Sequence, residues 1–436
     1  MAYRGLLRLG GVEIANSARA LAYIENGVCA PSITTPFDDT WRHTARYLGH
    51  QAYRTPVLDR APWFDVLDRD SDDFAGVWPM QVDGLDSAII NREVVEGLGD
   101  GGTFGPPRFE TRKIKVTALL VGRTTVGVDY GLRWLSSILR GDRCKGDWMG
   151  QTLEYLSSAP DVPVDYSNAA FADCVRPYRR ELHEVACTRM PEITERFGVD
   201  RSSDAPHATA YRVEFELTAG IPWAYQPAGL LFEGLRFNKD LPAKPIYFVI
   251  ATGGVCSANA CEETTTLRDP LRPKPASLIR PITPTTNAEC EPLESYRVTA
   301  NVPKSLVPDF HDLIASVTVR AGWQDERQLR IRWVRKDPAI TNVDDLLRCN
   351  TVSEANVGYV PAGSSLTIDG ITGRPYVLMP NGETIDASPV VSGPEGGPWV
   401  PPILSCGLAD YMVVVDGPGT VSAGLTIDAE GSVRQS

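Results

Sequence analysis

Two glycine-rich segments have spacings used in proteins to bind phosphate groups, and neither has the residues that this chemistry needs. Residues 97–102 match G-x-G-x-x-G. A dinucleotide site needs a helix directly after this motif, because the amides of that helix hold the pyrophosphate. The prolines at 106–107 follow too closely for such a helix. Residues 141–146 have the glycine spacing of a phosphate loop, but Asp-Trp at 147–148 replaces the required Lys and Ser or Thr.

The acidic and histidine-containing motifs are also incomplete. The segment 68–73, Asp-Arg-Asp-Ser-Asp-Asp, begins like a calcium loop, but Asp73 stands where glycine is needed and Pro79 where a bidentate glutamate is needed. We interpret it as a solvated acidic loop, with weak surface binding of Ca²⁺ as the alternative. Residues 183–187, His-Glu-Val-Ala-Cys, resemble the His-Glu-x-x-His motif of zinc proteases, but Cys187 stands where the second histidine is needed. We therefore predict no catalytic residues, no resident metal and no cofactor, and hence a protein that is not an enzyme.

Cysteines are few for the length of the chain, and one group of them is compact. Nine cysteines are scattered through 436 residues, so the chain is not a small disulfide scaffold. Cys256, Cys261 and Cys290 lie in one irregular region. We favour a disulfide there over a structural zinc site, for which a fourth ligand at zinc spacing is missing, and over free thiols.

The charge and the hydropathy of the chain exclude several classes of partner. The formal net charge is −12, whereas proteins that bind DNA phosphates are normally basic. Sequence-specific nucleic-acid binding and attraction to anionic membranes are therefore disfavoured. No apolar run is long enough to span a membrane, and charges interrupt the N-terminal apolar residues, so we expect neither membrane insertion nor a signal peptide. A basic cluster at 327–336 is interpreted as the solvent-facing side of a strand, or alternatively as a contact with an acidic neighbouring subunit.

The periodicity of the first half predicts strands and one clear helix. Residues 5–14 form a predicted hairpin with Gly10-Gly11 at its turn, and 111–121 and 211–218 alternate as half-buried strands do. Over 127–140, apolar residues recur at three- and four-residue spacing, which predicts an amphipathic helix. A second short helix is predicted around 152–156.

The second half predicts a separate β domain after a proline-rich segment. Six prolines fall within residues 270–292, and such a segment is extended and semi-rigid. Short strands separated by turn signals follow, as in a β-sandwich or jelly roll. The sequence thus predicts a mainly β protein with an N-terminal β-sandwich domain at 1–235, an irregular linker at 236–292 and a C-terminal β-sandwich at 293–436.

Several segments, taken in order, carry a resemblance to a known family. They are Arg4–Ile14, Asp59–Asp65, Tyr130–Leu135, Pro361–Gly370 and Trp399–Gly407. Together they resemble the minor tail proteins of long-tailed phages that infect actinobacteria, and among these the distal tail protein, the hub at the tip of the tail. The similarity extends over most of the chain.

The resemblance implies an assembly function. It implies that six copies of the chain assemble through their N-terminal domains into a ring. This ring would continue the tail tube and let DNA pass. It also implies contacts with the tail tube protein, the tape measure protein and the next tail-tip protein, a galectin-like C-terminal domain, and a location at the distal end of the virion tail after synthesis in the host cytoplasm.

Two functional hypotheses of different kinds follow. The first is a structural, ring-forming component of a phage tail tip, which would assemble through edge strands of the N-terminal domain. The alternative is a carbohydrate- or receptor-binding minor tail protein that contacts a host cell-surface glycan. Trp399 and Tyr411 are its candidate ligand-contact aromatics, since aromatic faces can stack on sugar rings.

Overall fold

The chain folds into two units. The computed structural model describes residues 2–26, 40–97, 100–141, 150–198, 209–238, 244–250, 289–405, 410–418 and 420–435. The first unit comprises Met1–Pro227 together with Arg434–Ser436, and the second comprises Ala228–Val433. In the part of the chain that the structure describes, no helix is long and apolar enough to cross a lipid bilayer.

The first unit consists mainly of antiparallel strands with a few helices. Its strands are β1 (Tyr3–Leu9), β2 (Val12–Asn16), β3 (Phe74–Asp83), β4 (Ile90–Asn91), β5 (Val94–Glu96), β6 (Gly102–Phe104), β7 (Arg108–Phe109), β8 (Arg112–Gly122), β9 (Gln151–Leu156), β10 (Arg179–Phe197), β11 (Thr209–Ala219) and β12 (Ala224–Tyr225). Its α-helices are α1 (Ser17–Asn26), α2 (Thr44–Tyr47), α3 (Thr125–Leu139) and α4 (Asn168–Val175), and 3₁₀ turns lie at Arg69–Asp73 and Arg176–Tyr178.

Strand β10 connects two groups of strands in this unit. Its first half pairs with β9 on one side and β12 on the other, and β9 continues to β1 and β2. Its second half pairs with β11, which continues to β8 and β3. Apolar residues from both groups and from α3 share one core, so the unit is a sandwich with a helix packed against it.

The predicted hairpin, the two alternating strands and the long helix are confirmed. Gly10 and Gly11 have φ of 57° and 81° at the β1–β2 turn, where glycine is favoured. The side chain of Thr124 accepts a hydrogen bond from the Gly127 amide and so caps α3. The predicted short helix at 152–156 is wrong, because this segment is strand β9. Leu153 and Leu156 have helical spacing, but Leu153 and Tyr155 alternate on the buried face of a sheet.

The second unit is a β-sandwich with one α-helix among its described residues. Its strands are β13 (Gly229–Leu235), β14 (Lys244–Ile250), β15 (Glu289–Val302), β16 (Asp312–Arg320), β17 (Glu326–Arg335), β18 (Thr351–Val360), β19 (Ser365–Ile368), β20 (Pro375–Leu378), β21 (Thr384–Asp386), β22 (Val391–Ser392), β23 (Ile403–Leu404), β24 (Tyr411–Pro418) and β25 (Thr426–Gln435). Helix α5 spans Val343–Cys349, and 3₁₀ turns lie at Lys304–Leu306 and Pro394–Gly396.

Two sheets enclose the core of this unit. One has the order β13-β25-β16-β19-β20-β21, with β23 also on β16, and the other has the order β14-β15-β24-β17-β18-β22. Val317 and Ile427 of the first sheet share a core cluster with Trp333 and Val413 of the second. The chain is thus mainly β, as predicted.

The division of the chain differs in detail from the predicted boundaries. The second unit begins at Ala228, and the last residues return to the first unit. Most of the predicted linker at 236–292 lies outside the described residues, so the three-part division stays a prediction. Among the elements that the sequence did not predict are strands β10 and β18 and helices α1, α4 and α5.

Candidate assembly surface

A hairpin arm extends from the first unit between strands β3 and β8. Residues 84–111 run out and back, and two short ladders hold them together, β4 with β7 and β5 with β6. In these ladders Ile90 lies opposite Phe109 and Val94 opposite Phe104. The arm therefore continues the β3–β8 pair as a two-stranded ribbon.

The arm exposes large apolar side chains on both of its faces. Its exposed large hydrophobic residues are Ile89, Ile90, Val94, Val95 and Phe104, with exposed fractions between 51% and 71%. Successive residues of a strand point to opposite faces, so Val94 and Val95 place apolar surface on the two sides of the ribbon. A two-stranded ribbon is at best marginally stable in water. Apolar surface of this kind is typical of an interaction site.

The base of the arm is fixed to the body of the first unit. The rings of Phe109 and Trp223 lie 4.1 Å apart between centroids. The hydroxyl of Tyr155 donates to the Leu85 carbonyl at 3.0 Å. Gly84 has φ of 94°, and a Cβ there would lie 2.0 Å from the Lys113 carbonyl oxygen, so the chain leaves β3 at a position that requires glycine. A fixed base and an exposed ribbon make the arm a directed contact element.

Strand β10 offers a second contact element at the edge of a sheet. Among the described strands, only β11 pairs with the part of β10 beyond Val185. Most side chains from Thr188 to Phe197 are exposed. Pro191 and several charged residues lie on this edge, features that limit unspecific strand pairing.

The charges near this edge are arranged in pairs with one mismatch. Arg212 Nη1 donates to Glu195 Oε2 at 3.2 Å, and Arg189 pairs with Glu192. Glu192 lies opposite Glu214 in the strand register, and like charges in that position repel. The local charge of this part of the sheet is therefore not fully balanced within the register.

A buried cluster of charged and aromatic side chains is satisfied within the unit. Arg19 Nε donates to Glu13 Oε1 at 2.7 Å, and both side chains are almost fully buried. Burial opposes the charge of Arg19, but the hydrogen bond from Glu13 and its charge outweigh this effect and raise the pKa of the guanidinium. Burial also raises the pKa values of Tyr23 and Tyr53. The cluster joins α1 to β2.

The acidic loop and the glycine-rich motif have structural roles. Asp68 accepts a hydrogen bond from the Asp70 amide and caps the 3₁₀ turn Arg69–Asp73. The glycine motif at 97–102, of which residues 98 and 99 lie outside the described part, falls at the turn between β5 and β6, and no helix follows it. Among the described residues, no group of three or more His, Cys, Asp or Glu side chains could hold a metal ion.

The histidine and cysteine of the incomplete protease motif lie on β10. His183 Nε2 is 3.9 Å from Glu181 Oε2, and its ring contacts Tyr225 edge-on. Burial raises the pKa of the Cys187 thiol, whose sulfur donates to the Arg189 carbonyl. A protonated thiol is a poor nucleophile, so this arrangement does not resemble a Cys–His catalytic pair.

The remaining predicted site residues lie in or near the second unit's sandwich. Tyr411 is buried and its hydroxyl donates to the Ser405 carbonyl at 3.3 Å, while Trp399 is partly buried against the core. Their contact with a ligand stays a prediction. Cys256 and Cys261 lie outside the described residues, and of Cys290 only the backbone, in β15, is described, so the disulfide also stays a prediction.

The basic cluster on β17 is only in part a solvent-facing surface. Its alternating apolar residues are buried, as predicted: Leu329, Ile331 and Trp333. Arg332 is 8% exposed and pairs with Asp416, and Arg330 Nη2 donates to Glu354 Oε2 at 2.6 Å. The predicted wet face is wrong for these two arginines, because carboxylates of the neighbouring strands neutralise them in a sheltered network.

Solved structures that align with this chain include proteins of phage tail tips. One is the SPP1 Dit protein, described as a paradigm of the hub adsorption apparatus in phages that infect Gram-positive bacteria. Its sequence identity to this chain is 10%, the alignment covers 80% of this chain and 95% of that chain, and the TM-score is 0.29. Another is a chain of the phage p2 baseplate in its activated conformation with Sr, with 9% identity, 86% and 93% coverage and a TM-score of 0.34. The same baseplate with Ca gives 10% identity, the same coverage and a TM-score of 0.30.

No protein-family model and no curated protein matches the chain.

Proposed function

We propose that this protein is a structural component of the distal end of a phage tail, whose copies form a ring that joins the tail tube to the rest of the tip. The ordered sequence resemblance supports this role. The observation that carries it is the arm at 84–111, which has a fixed base and apolar side chains on both faces. In a closed ring, each arm would be covered by the neighbouring copy, which buries the apolar surface that a single chain exposes.

The arm and the edge of β10 supply the two sides that a ring contact needs. Rings form through head-to-tail contacts, in which one surface of a subunit meets a different surface of the next. The first unit has an apolar ribbon and, separately, the exposed second half of β10, with which only β11 pairs among the described strands. We propose that these two surfaces take part in the contact, with six copies in the ring as the family resemblance implies.

The charge of the chain is compatible with passage of DNA through such a ring. The net charge is −12, and the outward face of β11 has Glu214 and Glu216 at its centre. A negative lining does not retain phosphates, because it offers no cations to replace their counterions. The proposed partners are the tail tube protein, the tape measure protein and the next tail-tip protein.

The test is the mass of the full-length protein in solution, measured by mass photometry and followed by negative-stain imaging. We expect a species of about six times the chain mass of 47.6 kDa, with ring-shaped particles. If the protein alone is monomeric, the same measurement is repeated with the tail tube protein. A chain that stays monomeric in both conditions would contradict the proposal.

A pair of variants assigns the contact to the arm. The double variant Val94→Asp/Val95→Asp places a charge on each face of the ribbon and should abolish the ring while the monomer stays folded, because both positions are exposed. The matched control is Val126→Asp, which changes a similarly exposed valine in the first turn of α3. Equal assembly of the two variants would show that the arm is not the contact.

A further inference from the structure

The loop between strands β16 and β17 presents a tryptophan to solvent. Trp323 is 81% exposed, whereas tryptophan is usually well buried in folded proteins. It lies in the connection that joins Arg320 to Glu326 in the second unit. An indole face so exposed is accessible for stacking on a ligand.

Hydrogen bonds hold this loop in place from both sides. The Ala321 amide donates to the Ser364 carbonyl at 2.9 Å, and the Gly322 carbonyl accepts from the Gly363 amide at 2.7 Å. On the other side, Gln324 Nε2 donates to the Thr420 carbonyl at 2.8 Å. The exposed ring is therefore presented by a rigid support, which lowers the entropy that binding would remove.

Two further contacts lock the loop against residues 420–425. The carboxylate of Glu326 is buried and accepts the Ser422 amide through both oxygens, at 3.1 and 3.2 Å. Gly322 and Gly424 are in backbone contact, and a Cβ on Gly322 would lie 3.0 Å from the Gly424 Cα. This close approach fixes where the backbone holds Trp323.

Polar groups lie beside the tryptophan in the same group of loops. Asp325 accepts hydrogen bonds from the Ala362 amide at 2.9 Å and from the Tyr359 hydroxyl at 3.0 Å. The side chains of Asp325 and Arg327 are 42% and 68% exposed. The guanidinium of Arg327 lies 5.1 Å from the centre of the Tyr359 ring, and its Nη2 lies 4.0 Å from Asp325 Oδ2, so its position is defined.

The composition of these loops fits a small polar ligand better than a protein surface. Trp323 is the one exposed large hydrophobic residue within residues 321–325, 359–364 and 420–425, all of which are described. A stable protein interface buries about 800 Å² per partner around an apolar centre. A sugar ring has an apolar face of C–H groups and a rim of hydroxyls, which matches one aromatic face beside a carboxylate and a guanidinium.

We propose that Trp323 is the centre of a carbohydrate-binding site in the second unit. The indole face stacks on a pyranose ring, and Asp325 and Arg327 exchange hydrogen bonds with its hydroxyls. The carboxylate accepts and the guanidinium donates, so the site can read the orientation of neighbouring hydroxyl groups. This inference does not depend on ring assembly by the first unit.

The test is a glycan array of defined oligosaccharides, probed with labelled full-length protein. The best-bound oligosaccharide is then titrated by isothermal titration calorimetry, whose signal does not depend on Trp323. We expect saturable binding by the natural chain and binding about tenfold weaker or worse in Trp323→Ala. Trp323→Tyr keeps an aromatic face and should recover part of the affinity.

The matched control is Phe310→Ala, which removes a side chain that is 93% exposed before the start of β16, at the other end of the strand. It should bind as the natural chain does. Absence of binding to every oligosaccharide, or equal affinity of Trp323→Ala and Phe310→Ala, would overturn the proposal. The oligomer mass of Trp323→Ala, measured in parallel, should equal that of the natural chain and so separates loss of the site from loss of assembly.

Discussion

At the scale of single residues, the ion pair of Glu13 and Arg19 is the most consequential buried charge of the first unit. Arg19 is 1% exposed, and it also lies 4.3 Å from the centre of the Tyr53 ring. His50 Nε2 lies 3.4 Å from Arg19 Nη2, and burial together with this positive neighbour lowers the pKa of His50. A histidine with a lowered pKa therefore faces the guanidinium, and Glu13 is the carboxylate that accepts hydrogen bonds from it.

Removal of one partner of this pair should destabilise the first unit strongly. In Glu13→Gln, the buried guanidinium of Arg19 loses its counter-charge, and we expect a loss of about 3 kcal/mol in the free energy of unfolding. Chemical denaturation can be followed through the nearby Trp63, whose ring packs against Tyr23.

The control for this prediction is an exposed pair in the same unit. Arg189 and Glu192 have side chains that are 58% and 62% exposed, so Glu192→Gln should change the free energy by less than about 1 kcal/mol. The double variant Glu13→Leu/Arg19→Met should regain most of the stability, because no unpaired charge remains. Similar losses in Glu13→Gln and Glu192→Gln would contradict a buried, uncompensated charge.

At the scale of elements, the packing of helix α3 depends on a glycine in its buried face. A Cβ on Gly131 would lie 2.2 Å from Cε2 of Phe74, at the start of β3. Gly131→Ala should therefore destabilise the unit by about 1–3 kcal/mol through overpacking. Helix propensity alone predicts the opposite sign, a gain of about 1 kcal/mol.

Thermal unfolding of Gly131→Ala decides between these two effects. Ser137→Ala, at an exposed position of the same helix, is the control and should lie within about 0.5 kcal/mol of the natural chain. A Gly131→Ala variant that is more stable than the control would show that the helix can move away from Phe74.

Elements with one buried and one exposed face could be predicted from the sequence. Helix α3 and strand β11 keep a single period over many residues, and each has one side in the core. Strand β9 was mistaken for a helix because its apolar residues satisfy both periods over a few positions. Helix α1 escaped prediction because its buried face includes Ser17 and Arg19, which hydropathy does not mark as core.

The candidate sites were harder to predict for a related reason. The arm has apolar residues on both faces, so no alternation distinguishes it from a loop. The exposure of Trp323 depends on three loops from distant parts of the chain, whereas the sequence alone drew attention to Trp399 and Tyr411. The periodicity of apolar residues identifies the side chains that face a core. It does not identify apolar side chains that stay exposed, such as those of the arm and Trp323.

At the scale of the whole molecule, the chain ends in the unit in which it begins. Arg434 and Gln435 pair with Tyr225 and Ala224 of the first unit. Gln435 Oε1 accepts a hydrogen bond from Arg180 Nε at 2.6 Å, and the Arg434 guanidinium lies 4.5 Å from the centre of the Trp223 ring. The residues of the second unit are therefore an insertion in the first, and integrity of the first unit requires the far end of the chain.

Two variants should separate the contributions of side chain and backbone at this junction. Arg180 is 9% exposed and burial lowers its pKa, so Gln435→Ala, which removes an acceptor, should destabilise the first unit by about 1.5 kcal/mol. Deletion of residues 434–436 also removes the strand pairing and the contact with Trp223, and should cost more than Gln435→Ala. Differential scanning calorimetry of the full chain can measure both.

The control is Glu430→Ala, at an exposed position of β25 within the second unit, which should leave the transition temperature of the first unit unchanged. If the deletion also leaves that transition unmoved, the last residues do not stabilise the first unit. A lower transition temperature would show that the last residues stabilise the first unit, in which Trp223 packs on Phe109 at the base of the arm. The deletion should then weaken ring assembly as well, without any change within the arm.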